Sequence, residues 1–578
     1  MHCDEAVHAV KFGRLLQSGD YVYNRREYHG PSLYYLTLPI ARLASARNLT
    51  EITEIHLRLV PAIFGIVLVG LVWLVREELG RPAALGAAAL TAVSPAMVFY
   101  SRYYIQEMLL VCFTFGAMVA LWRYLGELAA VGAEPPESRR RSWIRQTSWL
   151  VMLGVCIGMM HASKETCAIA LFAMVVAAAL TIRAHAVGRD EVPPRPACTA
   201  GTASQPTQRT VLAGLFWPGL VVVLCAATVS ALFFSSFLRH PRGIVDSLTT
   251  YFVYLGRASG EGTAGRHYQP WHYYFRILFW WHRGSGPVWS EASIAALALV
   301  GLVSGVRGEG RGARGEGTGD RSQASDSAFS IQHSAFSIPF ARFLGIYTLL
   351  MTAVYSALPY KTPWCALGFL HGMILLAGVG MGVLVRAAPG YAAKTAVIAL
   401  LVAATAHLGW QAHRASFVLY EDPSNPYVYA HTTSDVPLLA ERIRQIAAVH
   451  GDGPAMHVQV LCPDDDHWPL PWYLRDFSRV DWLPGIPRGR AAPLIITQPT
   501  MEKAVLEYVY VKQPPGQRPL RDLLQKPDGT DWQLRPHVPL LMIVRRDLLE
   551  AYRLHQAKGT APDREEHKGR PSPTEPGG

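Results

Sequence analysis

Carboxylates gather where apolar blocks of this chain begin or end. Asp4 and Glu5 stand in HCDEAVHA, Glu107 closes SRYYIQE, Glu165 lies in HASKE, and Glu291 opens a later block. The cations beside them are Arg102 and Lys164, with Lys361 further along and Arg257, Arg266 and Arg276 in a long stretch that also holds the aromatic run HYQPWHYYFRILFWWH (267–282). A charged side chain at the centre of a bilayer costs roughly 2.5–3.5 kcal/mol on insertion scales, so charges at membrane boundaries tend to face a cavity. Each carboxylate alone reads equally well as a solvated helix end. Together with the cations they suit one kind of chemistry. A carboxylate takes the proton of an attacking hydroxyl, and the cations hold the charge of a departing phosphate. Phosphate is already a weak base, so it needs no general acid. Sugar transfer from a polyprenyl phosphate is a reaction of this kind. A retaining hydrolase would instead need two close carboxylates, and spacing alone leaves that open.

The elements that must position these residues are membrane helices. Half of the 578 residues are hydrophobic and 17% are charged, against about 25% charged in soluble domains. The apolar residues come in blocks of bilayer length rather than as the shorter runs of a soluble core. This excludes a soluble enzyme, a fibrous chain and a disordered one. It also demotes nucleic acid as the reason for the net charge of +11. The blocks predict ten spans, at 57–75, 83–100, 106–122, 148–161, 165–182, 211–237, 287–306, 339–357, 363–385 and 391–411. Segment 31–46, broken by Pro39 and Arg42, predicts an interfacial helix. With residues 1–56 outside, the inner loops carry sixteen Lys and Arg and the short outer loops three. By the positive-inside rule this puts 1–56, 238–286 and everything after 411 on the outer face.

The expected organisation is an outer segment at 1–56, a multi-pass domain at 57–411, a small outer α/β domain at 412–554 and a disordered tail at 555–578. Residues 307–338, low in complexity and then repeating SAFSI, are expected to be a disordered cytoplasmic insertion. In the outer domain a helix is expected at 436–450, strands at 457–461, 480–483 and 493–497, and a strand followed by a helix at 538–552. The eight cysteines show no CxxC and no zinc spacing, and no disulfide framework is expected. PDDDHW (463–468) reads as an exposed acidic turn rather than a metal cluster. Zinc on His2, Cys3, Asp4 and His8 is the weaker reading at the N-terminal end. No metal set is assigned there. A divalent cation, Mg or Mn, bridging Asp4 and a donor phosphate is the better candidate.

The motifs resemble those of the GT-C membrane glycosyltransferases. They are similar to the dolichyl- or undecaprenyl-phosphate-mannose protein mannosyltransferase (family 39) and aminoarabinose-transferase group, and closer still to a flippase-activity-associated family of archaeal glycosylation clusters and bacterial relatives. DEAVHA (4–9), YHGPSLYYLT (28–37), LRLVPAIFG (57–65), SPAMVFYSRYYIQE (94–107), ASKET (162–166), YKTPW (360–364), YVYAHTTSD (427–435) and WPLPWYLRDF (468–477) carry the resemblance. It implies a polytopic helical GT-C fold with about ten transmembrane helices here and a further helix ahead of the DE motif. It also implies an inverting hexosyltransferase of the cell envelope, in the plasma or inner membrane, with its site outside. Asp4 would be the base with Glu5 beside it, and Glu107 the second acidic position. Lys361 would sit near the donor phosphate, with Arg102 and Lys164. His29, Trp271, Tyr273 and Trp364 would contact substrate or lipid. The implied partners are a polyprenyl-phosphate sugar donor, an acceptor of protein, lipid or glycan type, and membrane lipids. The other reading is a non-catalytic protein that binds lipid-linked saccharide or assists its flipping. A third is a structural partner in an envelope-polysaccharide complex.

Overall fold

The computed structural model describes residues 1–26, 29–130, 139–190, 208–258, 267–307 and 324–559. It divides into two compact units, one of Lys11–Tyr429 and one of Met1–Val10 with Ala430–Gly578.

The larger unit is a helical membrane domain. All ten stretches read as spans are helical, but fewer stand as uninterrupted crossings. Among the described residues seven helices are long and apolar enough to cross a bilayer. They become eight if the pair Arg81–Val93 and Pro95–Ser101, bent by 57°, is one span. Pro95 causes the bend: Ser94 before it is extended (ψ 123°) and caps the second helix through Met97 N. The stretch 148–161 belongs to Arg139–Ser163, whose first turns are arginine-rich, and 287–306 yields an apolar helix only over Ala292–Gly305. Side chains such as Ile66, Leu224, Leu400 and Val402 are exposed, as lipid requires and water would not. The expected interfacial segment forms the helix Ser32–Leu43.

Three helices of this unit meet backbone to backbone. A Cβ on Gly380 would lie 2.0 Å from Leu297 O, one on Gly301 2.1 Å from Leu376 O, and one on Gly378 2.4 Å from Ala83 O. Glycine at these crossings lets Leu367–Ala387 pack against Ala292–Arg307 and Arg81–Val93, the small-residue packing that replaces the hydrophobic effect in lipid.

The smaller unit is an α/β sandwich. Its strands are β1 (Val458–Leu461), β2 (Val480–Leu483), β3 (Leu494–Thr497), β4 (Arg521–Leu523), β5 (Trp532–Arg535) and β6 (Val538–Arg545). The order is β2-β1-β3-β6-β4, with β5 also on β6. β1 pairs in parallel with β2 and β3, and β6 runs antiparallel to β3, β4 and β5. Alternation along the strands serves two faces. Val458, Val460, Leu494, Ile496, Met542 and Val544 pack with helix Asp435–Ala448, while Leu461, Ile495 and Ile543 pack with helix Glu502–Tyr510. The helices and strands expected at 436–450, 457–461, 480–483, 493–497 and 538–552 all form; β4, β5 and Glu502–Tyr510 are additional to them.

Three boundaries differ from expectation. Residues 412–429 group with the membrane unit, because Gly390–His413 continues into the π turn Arg414–Val418 and Asn425 Nδ2 donates back to Ala415 O and Leu419 O. Of the insertion at 307–338, residues 308–323 lie outside the described residues, and from Ala324 the backbone is already in the helix Ala324–Ala357. Helix Arg546–Gly559 runs past the expected start of the tail at 555, and 560–578 lie outside the described residues.

Candidate active site

In the membrane unit the site is organised by three residues, 164–166, that separate the helices Arg139–Ser163 and Cys167–Asp190. Two of these neighbours take partners from different elements. Lys164 Nζ forms an ion pair with Glu107, the first residue of helix Glu107–Ala130, and both side chains are buried. Glu165, also buried, lies 3.4 Å from His29 Nδ1. Burial pushes the Lys164 ammonium down, but the Glu107 carboxylate against it more than offsets this, so it stays well above the usual lysine range. Burial likewise pushes Glu165 up, but His29, by charge and hydrogen bond, and Lys164 leave it below the usual carboxylate range. Both residues therefore carry charge out of contact with water.

The Glu107–Lys164 pair lines a small cleft together with Thr166, Tyr355, Trp364 and Cys365. Trp364 arrives on the segment 360–364, which is bound to residues 267–269. Lys361 N donates to His267 O at 3.0 Å, Gln269 N donates to Pro359 O at 3.1 Å, and the Tyr360 ring lies 4.7 Å from that of His267. Lys361 is buried, and its ammonium donates to Leu358 O and to Gln269 O. Those carbonyls are neutral, and desolvation lowers the Lys361 pKa.

The remaining expected residues are spread out. Arg102 donates to Ser416 O and stacks over the Phe417 ring at 4.1 Å, tying the end of Pro95–Ser101 to the turn 414–418. Trp271 is 68% exposed and packs edge-on to His272 and Phe275. Tyr273 packs against the membrane core beside Tyr274, whose hydroxyl donates to Thr362 O. Arg276 lies over Trp281, and Arg266 is outside the described residues.

Glu291 is engaged in holding loops together. Its carboxylate accepts from Ser94 Oγ at 2.5 Å, Tyr427 Oη at 2.7 Å and Ala96 N at 3.0 Å. Burial raises its pKa, against the pull of those donors. Sequence reading misses Tyr355 and Thr166. Tyr355 sits inside an apolar block, where a lone tyrosine carries no signal, and Thr166 ends the ASKET motif, where the charges of Lys164 and Glu165 are the stronger signal.

Asp4 and Glu5 belong to the other unit, on the first turn of helix Cys3–Ser18. Glu5 is fully buried and accepts from His2 N at 2.8 Å. The His2 ring meets that of His431 edge-on at 5.0 Å, and Thr432 Oγ1 donates to Met1 O. Asp4 is only partly buried. Ligand atoms of His2, Cys3 and Asp4 lie within 4.8 Å of one another. That nitrogen–sulfur–oxygen mixture does not fit Mg or Mn, which take oxygen ligands; such an ion would have Asp4 as its one oxygen donor in the trio. In the acidic turn Asp466 is taken up by an ion pair with Arg535.

Residues 33–193 match the family described as dolichyl-phosphate-mannose-protein mannosyltransferase. Among curated proteins none matches. Of solved structures, ArnT from Cupriavidus metallidurans in the apo state is similar at 12% identity and TM-score 0.51, with 93% of each chain covered. The same protein bound to undecaprenyl phosphate is similar at 14% identity and TM-score 0.50, again with 93% of each chain covered. The apo oligosaccharyltransferase of Archaeoglobus fulgidus has 13% identity and TM-score 0.48, covering 96% of this chain and 74% of that one. The likeness to ArnT shows the fold alone, and the family match is confined to residues 33–193.

Proposed function

We propose that this multi-pass membrane protein transfers a sugar from a polyprenyl-phosphate-linked donor to an acceptor on the outer face of the cell membrane, with inversion. The observation that carries the reading is the buried Glu107–Lys164 pair beside His29–Glu165, in a chain with the fold of a protein known bound to undecaprenyl phosphate. Asp4 takes the proton of the acceptor hydroxyl as its oxygen attacks the anomeric carbon from the face opposite the phosphate. The bond from that carbon to the phosphate oxygen breaks, and the electron pair leaves with the polyprenyl phosphate. Lys164, Lys361 and Arg102 stabilise the charge that develops there, and Glu107 keeps Lys164 charged and fixed. His29, Trp271, Tyr273 and Trp364 contact the donor or its lipid. Glu5, held by His2 N, orients the turn that carries Asp4.

The test is transfer from radiolabelled polyprenyl-phosphate sugars in membranes, with wild type and Asp4→Asn side by side. Transfer by wild type and a loss of at least about 10²-fold in the variant, the range of a lost general base, is expected. Equal transfer by both would remove Asp4 as base. Donor binding with no transfer by either form would replace the enzyme with a carrier of lipid-linked sugar.

A further inference from the structure

The α/β unit buries two arginines and treats them differently. Arg535, 7% exposed, is paired with the Asp466 carboxylate and donates to Trp468 O at 3.2 Å. Arg521, 8% exposed, has no carboxylate partner among the described residues. Its Nη2 donates to Ala492 O at 2.7 Å and Ala491 O at 3.4 Å, while Nε and Nη1 are buried and meet no acceptor. A buried charge without a counter-charge is strongly unfavourable, and buried N–H groups are nearly always met. The nearby acids are already engaged: Asp522 with Arg546 at 2.8 Å, Asp547 with Arg545 at 3.0 Å. Desolvation lowers the Arg521 pKa to about 10, which leaves it cationic at neutral pH.

The surroundings add charge of the same sign. Ala491 and Ala492 end a loop that carries Arg488 and Arg490, both exposed. Across from it, segment 511–520 links helix Glu502–Tyr510 to the edge strand β4 and contains Pro514, Pro515 and Gly516 (φ +82°). Gln513 Nε2 donates from this segment to Gly489 O at 3.1 Å, and Arg518 closes it on itself by donating to Gln513 O and Val511 O. Arg488, Arg490 and Arg518 also have no carboxylate partner among the described residues. Two hydrogen-bonded segments thus bring Arg488, Arg490 and Arg518 to the edge of the sheet that holds Arg521, and none of the four is in an ion pair among the described residues, an arrangement that attracts an anion.

We propose that Arg521, with Arg488, Arg490 and Arg518, binds a phosphate group between loop 485–492 and segment 511–520. The three N–H groups on Nε and Nη1 supply the donors, and arginine is well matched to phosphate oxygens. The site stands apart from the transfer chemistry proposed above and does not depend on it. Free phosphate and the phosphate of a lipid headgroup share this chemistry.

The test uses the full chain in phosphatidylcholine nanodiscs and reads amide hydrogen exchange over 511–523. Inorganic phosphate is compared with chloride at equal ionic strength. At phosphate tenfold above its dissociation constant, exchange in wild type is expected to slow about 11-fold, with no change in Arg521→Met. Removing an unpaired buried charge for an apolar side chain of similar length is expected to leave the unit folded. Should that variant unfold, Arg521→Lys, which keeps the charge but lacks the guanidinium donors, serves the same comparison and is expected to lose most of the protection. Phosphatidylglycerol nanodiscs without inorganic phosphate separate the sources. Protection there that depends on Arg521 assigns the site to a headgroup, and protection by inorganic phosphate alone assigns it to the free ion. Equal protection of wild type and variants, or none in wild type from either source, overturns the proposal.

Discussion

Gly30 N donates to Ser163 O at 3.0 Å, and a side-chain carbon on Gly30 would stand 2.1 Å from Ala162 O. The Oγ atoms of Ser32 and Ser163 meet at 2.8 Å two residues further on. Residues 29–32 are thereby sealed against the end of helix Arg139–Ser163, one residue before Lys164 and Glu165. This contact gives the HGPS motif a physical role: it holds His29 against Glu165.

Gly30→Ala is therefore expected to act at a distance from any substrate atom. The methyl group cannot be accommodated by a flexible side chain, because what it meets is backbone. Overpacking of this kind costs typically about 1–3 kcal/mol. Displacing His29 by even about 1 Å can cost on the order of 10²-fold in rate. The variant should melt several degrees lower in detergent and lose most of its transfer activity, while Gly30→Ala with wild-type values in both would show the seal to be dispensable.

The Glu107–Lys164 pair makes a prediction that separates stability from function. Removing one member leaves the other charged and buried, which costs about 3–5 kcal/mol. Lys164→Met and Glu107→Met should each lower the melting temperature strongly. The double variant Lys164→Met with Glu107→Met should recover much of that loss, since a buried pair replaced by apolar groups is often neutral or stabilising. Transfer activity should stay lost in all three. A double variant as unstable as the sum of the singles would mean that the two residues do not interact, and one with restored transfer would make the pair purely structural.

The parts of this molecule that are legible in the sequence are those with local signals. Glu107, Lys164 and Glu165 stand out because a charge at the edge of an apolar block is rare. β1, β2 and β3 are visible as short apolar runs between turns, and Arg546–Gly559 as a helical continuation of β6. The pairing of Glu107 with Lys164, 57 positions apart, leaves no local trace; it follows from where two helix ends meet. The same is true of Glu291, whose boundary position suggests chemistry but whose carboxylate is held by Ser94, Ala96 and Tyr427. β4 is three residues, Arg-Asp-Leu, with too little apolar pattern to read, and Arg521 looks like any surface arginine until the fold buries it. A proline bend or an arginine-rich first turn leaves no clear mark in a run that is apolar on average, so the sequence shows the apolar blocks but not how each is divided into helices.

The Glu165–His29 contact fixes a pH dependence with a definite sign. The Glu165 carboxyl lies below its ordinary value in the folded protein because His29 and Lys164 outweigh the effect of burial. An acid with a depressed folded pKa contributes stability that is fully present above its unfolded value, about 4.3 for glutamate. That contribution is lost as pH falls through the lower folded value. Wild type should therefore melt higher than Glu165→Gln at pH 7, and the gap should hold down to about pH 5 and then narrow progressively below about pH 4.3. The measurement is paired thermal unfolding of the two proteins in one detergent from pH 7 to pH 3. A gap that stays constant across that range would show that Glu165 does not gain from being charged in the fold. A gap that widens on acidification would mean that burial prevails over His29 and that the folded carboxyl lies above its ordinary value.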